Sequence, residues 1–187
     1  MSQKWLRKIA IVTAGVAFAA GVALYLFQNH IIYLPIVPGM SRYPSSNPIG
    51  YRSPSDRQIP YEEATLETED GVKLRSWLLY QSERKTVPTI VFFHENAGNI
   101  GYRLDFFEQL YKKLGVNILA VSYRGYGDSE GSPSEAGIQK DAAAILEYAF
   151  QKAQIDRSKI ILFGRSLGGA VAIYGISSFP QYPVSPK

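Results

Sequence analysis

Apolar and polar positions alternate on both sides of Glu69-Asp70-Gly71, as Ala64-Thr-Leu-Glu before it and Val72-Lys-Leu-Arg-Ser-Trp after it. Alternation with period two across an Asp-Gly turn predicts a β-hairpin at one edge of a sheet. Three later apolar runs do not alternate: Thr89–Phe93, residues 116–122 and residues 160–163. Such runs suit strands covered on both faces. Between them the spacing is helical. Leu104, Phe106, Phe107, Leu110, Tyr111 and Leu114 form one stripe with Gly115 as its stop, and Ile138, Ala142, Ile145, Leu146, Ala149 and Phe150 form another with Ser134 as its cap. Strands alternating with helices predict an α/β fold, a doubly wound, mostly parallel sheet over residues 61–178.

The flanks follow neither period. Residues 9–27 are nineteen residues without a charge, long enough at 1.5 Å per residue to span the ~30 Å hydrocarbon layer as a transmembrane signal anchor. Ala17-Phe18-Ala19 also resembles a cleavage site, so a cleaved signal peptide is the alternative. A buried core helix is disfavoured by the lack of a polar face. Residues 28–60, with six prolines and many serines, predict a linker lying extended over the surface. Ile31-Ile-Tyr-Leu at its start either sits at the membrane interface, with Tyr33 at headgroup depth, or caps the domain as ordinary apolar surface. Residues 179–187 hold three prolines and read as an extended tail.

Candidate chemistry lies where the last central strand meets a helix. Gly164-Arg-Ser-Leu-Gly168 fits G-x-S-x-G between Ile160-Ile-Leu-Phe and the apolar Ala170-Val-Ala-Ile-Tyr. A serine in a strained strand-to-helix turn exposes its hydroxyl, and the helix N-terminus favours developing negative charge. The bland reading of Ser166 is a turn serine capping that helix. Upstream, the run at Thr89 ends in a polar, glycine-containing loop where a second oxyanion donor is expected.

Three stretches, His94-Glu-Asn-Ala-Gly-Asn99, Tyr123-Arg-Gly-Tyr-Gly-Asp-Ser-Glu-Gly131 and Phe163-Gly-Arg-Ser-Leu-Gly-Gly169, together resemble the α/β-hydrolase fold family, most closely its membrane-anchored, Bem-type branch. The resemblance covers about residues 61–178 plus the anchor. It implies Ser166 as nucleophile, the backbone N–H groups of Asn96 and Leu167 as oxyanion hole, and an acyl ester or thioester as substrate. One departure is Glu95, where the family usually has glycine after the histidine; a glutamate prefers negative φ. In that family the triad acid and base follow the nucleophile. His94 precedes Ser166 by seventy-two residues, so its expected role is to support the oxyanion loop through its ring rather than to act as base. His30 reads as an interfacial residue.

Composition narrows the remaining classes. The formal charge is +4, but Lys4, Arg7 and Lys8 precede the apolar run, so the excess reads as topology and nucleic acid is not indicated. By the positive-inside rule residues 1–8 are cytosolic, residues 9–27 cross the lipid once, and the hydrolase unit lies on the lumenal or extracytoplasmic side, on an endomembrane in a eukaryotic cell. The absence of cysteine excludes disulfides and thiolate chemistry. No cofactor or metal is expected, Asp128 and Glu130 reading as turn or capping carboxylates. Twenty-one residues follow Ser166 and none is a histidine. The expectation is a C-terminally truncated hydrolase, inactive as written, whose last strand leaves an open sheet edge suited to self-association. The alternative is a non-catalytic binding or regulatory short form that pairs with the full-length protein.

Overall fold

The uncharged run lies inside one long helix, α1 (Gln3–Ile32), which is long and apolar enough to cross a membrane. It exceeds residues 9–27 at both ends because lysine, arginine and glutamine are good helix formers, and Pro35 soon forbids a further turn. A computed structural model of the chain describes residues 3–182 and divides it between Tyr33 and Leu34 into two compact units. Residues 1–2 of the expected cytosolic segment and 183–187 of the expected tail lie outside the described residues.

The second unit is built on a five-stranded sheet of order β1-β2-β4-β3-β5. Strands β1 (Tyr61–Glu67) and β2 (Lys73–Leu79) form the hairpin, antiparallel from Tyr61 opposite Leu79 to Glu67 opposite Lys73. β2 runs antiparallel to β4 (Asn117–Val121), whereas β4, β3 (Thr89–Phe93) and β5 (Ile160–Gly164) are mutually parallel through β3. Both β3 and β4 are buried throughout, which is why neither alternates in sequence. Among the described residues β5 pairs on one side only, and its Ile161 is half exposed.

Helices cover both faces. On one, Trp77, Leu79, Ile90, Phe92, Ile118 and Ala120 pack with Leu104 and Phe107 of α2 (Leu104–Gln109), the Phe92 and Phe107 rings meeting edge to face at 4.9 Å. This burial is the main stabilising term, about 1.5–3 kcal/mol for each large side chain. On the other lie α3 (Glu135–Gln151) and α4 (Leu167–Ser178), which pack on each other. Ser134 caps α3 as expected, its hydroxyl accepting from Gly137 N–H at 3.1 Å. The stripe at 102–114 is less regular than one α-helix: a 3₁₀ turn at Ile100–Arg103 precedes α2, and a π turn at Leu110–Leu114 follows before Gly115, at φ 63°, ends it.

Residues 34–60 are linker-like in composition but packed onto the sheet. Two 3₁₀ turns, Pro44–Ser46 and Pro54–Arg57, each begin at a proline whose fixed φ suits a first helical position. Ile59 joins the core, Asn47 exchanges amide hydrogen bonds with Asn99, and Arg57 pairs with Asp105 and Glu108 at 2.5 and 2.9 Å. Those partners lie about fifty positions away, where no local period reports them.

Candidate active site

The β3–β5 register places Phe93 opposite Gly164, so the loops leaving these strands emerge side by side at the carboxyl end of the sheet, where open α/β sheets hold ligands. The turn after β5 is tight. Ser166 has φ 53° and ψ −120°, one of two non-glycine residues with positive φ among those described. A side chain held there costs on the order of 1–3 kcal/mol. Its neighbours permit the turn: a Cβ on Gly164 would fall on the Gly168 carbonyl, and one on Gly168 would fall on Phe93 O. Ser166 is exposed and makes no side-chain cap bond to α4. The turn is instead closed by backbone, Gly168 N–H donating to Arg165 O at 3.0 Å and Gly169 N–H to Ser166 O at 2.9 Å. A capping serine would have spent its oxygen on one of those N–H groups. Leu167 is the first residue of α4, where an N–H has no partner within the helix.

The loop after β3 is set by His94. His94 is 2% exposed, its ring tilted against that of Tyr123 at 4.0 Å between centroids and edge-on to that of Tyr126 at 5.0 Å. Tyr123 N–H donates to Nε2 at 3.1 Å. An amide can only donate, so Nε2 is the acceptor, the proton sits on Nδ1, and Nδ1–H donates to Glu95 O at 2.6 Å. Burial pushes the His94 pKa down to about 3, and the charge of Arg103 lowers it further against the raising effect of the Glu95 carbonyl. The ring is neutral at pH 7 with both nitrogens engaged. In a trans peptide C=O and N–H point opposite ways. Fixing Glu95 O on the His94 ring therefore directs the Asn96 N–H away from it.

The next peptide is held as firmly. Asn96 O accepts from Leu34 N–H at 3.1 Å and from the Tyr126 hydroxyl at 2.9 Å. Arg103 grips both sides of Asn96: its Nη2 donates to Ala97 O at 2.7 Å, and its Nε lies 2.7 Å from Glu95 Oε2 as an ionic contact outside hydrogen-bond alignment. The other Glu95 oxygen lies 3.3 Å from Arg165 Nη1, tying this loop to the turn that carries Ser166. Glu95 does not adopt positive φ, so a glutamate in place of the family's glycine is accommodated without backbone strain.

The loop after β4 carries Arg124, nearly buried, whose backbone N–H and Nε donate to Asp141 at 2.8 Å each, while Nη1 and Nη2 hold Asp70 at 2.9 and 3.0 Å. Arg124 holds the Asp70 carboxyl well below its ordinary range, assisted by Thr68. Glu130 answers the hairpin, its N–H donating to Lys73 O at 3.0 Å, and Asp128 is exposed. Among the described residues no three His, Asp or Glu side chains converge as a metal site would require.

Residues 88–182 match a family model described as alpha/beta hydrolase fold. The chain belongs to the α/β-hydrolase fold family. Within it, the chain is 46% identical over 153 residues to the alpha/beta hydrolase domain-containing protein WAV2 of Arabidopsis thaliana, the match covering 81% of this chain and 48% of that protein. It is 40% identical over 151 residues to protein bem46 of Schizosaccharomyces pombe, covering 80% and 48%. The Bem-type resemblance of the three motifs is thus met by similarity over about four-fifths of this chain, and the chain spans about half the length of these curated relatives. Among solved structures it is similar to the esterase Pf2001 of Pyrococcus furiosus, with a TM-score of 0.59 and 27% identity, covering 68% of this chain and 50% of that one.

The structure brings Ser166, Leu167, His94 and Asn96 to one end of neighbouring strands. His30 lies in α1, in the other unit. Sequence reasoning missed Leu34, Arg103 and Tyr126, which hold the Asn96 peptides. Tyr126 stood within a quoted motif, but nothing in the pattern said what its hydroxyl would reach thirty residues away.

Proposed function

We propose that this chain carries the nucleophile and oxyanion donors of a membrane-anchored serine hydrolase acting on acyl esters or thioesters. Ser166 Oγ attacks the carbonyl carbon, and the oxyanion is received by the N–H groups of Leu167 and Asn96. Collapse expels the alcohol or thiol and leaves an acyl-serine, which water then hydrolyses. The observation that carries this reading is the strained backbone of Ser166, an exposed residue whose side chain makes no cap bond to the helix. His94 is the positioning residue of the Asn96 peptide, and its two committed nitrogens keep it from serving as base. The 187 residues hold only one other histidine, His30, which lies in α1, so no histidine of the sheet-bearing unit is left to take the proton of Ser166. Loss of a triad member costs on the order of a million-fold in turnover, with residual help from oxyanion stabilisation and binding. A serine without such a base is a slow nucleophile. Helix α1 anchors the unit, with Lys4, Arg7 and Lys8 on the cytosolic side.

A fluorophosphonate reporter tests the assignment. Labelling of the chain should be slow and should vanish in Ser166→Ala; labelling that survives the substitution refutes the nucleophile. Fast labelling abolished by that substitution would keep the nucleophile and remove the claim of a missing base.

A further inference from the structure

Leu34 is bonded by its backbone to the loop that carries Asn96. Its N–H donates to Asn96 O at 3.1 Å, Gly98 N–H donates back to Leu34 O at 3.3 Å, and Leu34 and Ala97 pair as a parallel bridge. Only Tyr33 separates Leu34 from Ile32, the last residue of α1. Covalent geometry limits the Ile32-to-Leu34 Cα separation to ~7 Å, and paired strands lie ~4.8 Å apart. Whatever angle the helix takes, Ala97 therefore lies within ~12 Å of the helix's last residue. Residues 28–32 add ~7 Å of helical rise beyond the apolar run. The oxyanion loop is thus confined to within ~20 Å of the hydrocarbon edge, and the headgroup layer itself occupies ~6 Å of that distance. The side chains beside the loop suit such a place, Leu34 being 42% and Ile36 61% exposed.

We propose that the Leu34 strap pins the active site at the bilayer surface and that the ester it takes is a lipid acyl ester whose chain remains in the bilayer. The proposal rests on Ser166 as nucleophile and on α1 as anchor, and it names the substrate class of that site. The strap contributes in two ways. It orients the Asn96 carbonyl, and it keeps the donors at a height to which an acyl carbonyl can be lifted without leaving the membrane.

The chain has no cysteine, so Ser166→Cys and Ile32→Cys each accept a single fluorophore. In phosphatidylcholine vesicles carrying headgroup-nitroxide lipid, the fluorophore at position 166 should be quenched at least about half as strongly as the one at position 32. A Gly-Ser insertion of ~12 residues between Ile32 and Tyr33, ~19 Å in mean span, should reduce quenching at 166 at least about twofold and leave that at 32 unchanged. No quenching at 166, or quenching indifferent to the insertion, overturns the pin. On the chain with Ser166 intact, a hexadecyl fluorophosphonate dissolved in the vesicles should label faster than a short water-soluble one, and the insertion should lower that ratio about tenfold. Equal rates, or a ratio the insertion leaves alone, overturn the lipid substrate. Absence of labelling by both probes with quenching retained refutes the nucleophile, and with it the substrate, separately from the pin.

Discussion

Lowering the pH should destabilise this domain through His94 in a quantity the structure supplies. The folded imidazole is held at about 3 by burial against an ordinary value of 6.5. Between those values the unfolded chain binds the proton and the folded one does not, so stability rises with pH. The contribution is whole above 6.5 and is lost as pH falls, with nothing further lost once pH drops below the folded value. From pH 7 to pH 5 the loss is about 2 kcal/mol. Urea unfolding in detergent micelles, followed by the fluorescence of buried Trp77, measures it in the unsubstituted chain and in His94→Gln. All other ionisable groups are common to the two proteins, so their contributions cancel in the difference. The unsubstituted chain should lose about 2 kcal/mol more than the variant between the two pH values, and nitrogen NMR at pH 5 should find a neutral ring protonated on Nδ1. Equal pH slopes, or a ring titrating near its ordinary value, would refute the argument that His94 is a neutral spacer fixing the Asn96 peptide.

Other outcomes follow from the same geometry. Gly168→Ala drives a Cβ into Phe93 O and should cost about 3 kcal/mol or more, seen as a lower urea midpoint; a loss under ~1 kcal/mol would mean the turn can relax. Asp141→Ala takes the buried acceptor from the Arg124 backbone N–H and Nε while Asp70 still holds the other end of the guanidinium, and should cost about 3 kcal/mol, whereas Asp70→Asn, at the exposed end of the same network, should shift the midpoint far less. Protease added to sealed endomembrane vesicles should spare residues 34–182 if charge at the N-terminus sets the topology; digestion of that unit before the vesicles are opened would invert the orientation.

Local rules were enough for the strands and for the long helices, though not for the 3₁₀ and π turns. Alternation across Asp70-Gly71 determined the hairpin, unbroken apolar runs determined β3, β4 and β5, and Ser134 and Gly115 marked a helix start and a helix stop, because side-chain period and cap chemistry are properties of neighbours in sequence. The turn at Ser166 was legible for the same reason, since glycines two places either side leave the room it needs. The packing of residues 34–60 was not legible: prolines erased any period there, and Asn47 and Arg57 bond to residues about fifty positions away. Nor was the use of His94, because a histidine's tautomer depends on which amide meets Nε2, here that of Tyr123 on the adjoining strand's loop. Sequence alone determined which pieces exist. Tertiary structure decided that β3 lies between β4 and β5 and that Leu34, Tyr126 and Arg103 converge on Asn96, because strand order and buried hydrogen bonds are settled by contacts distant in sequence, to which no local pattern is sensitive.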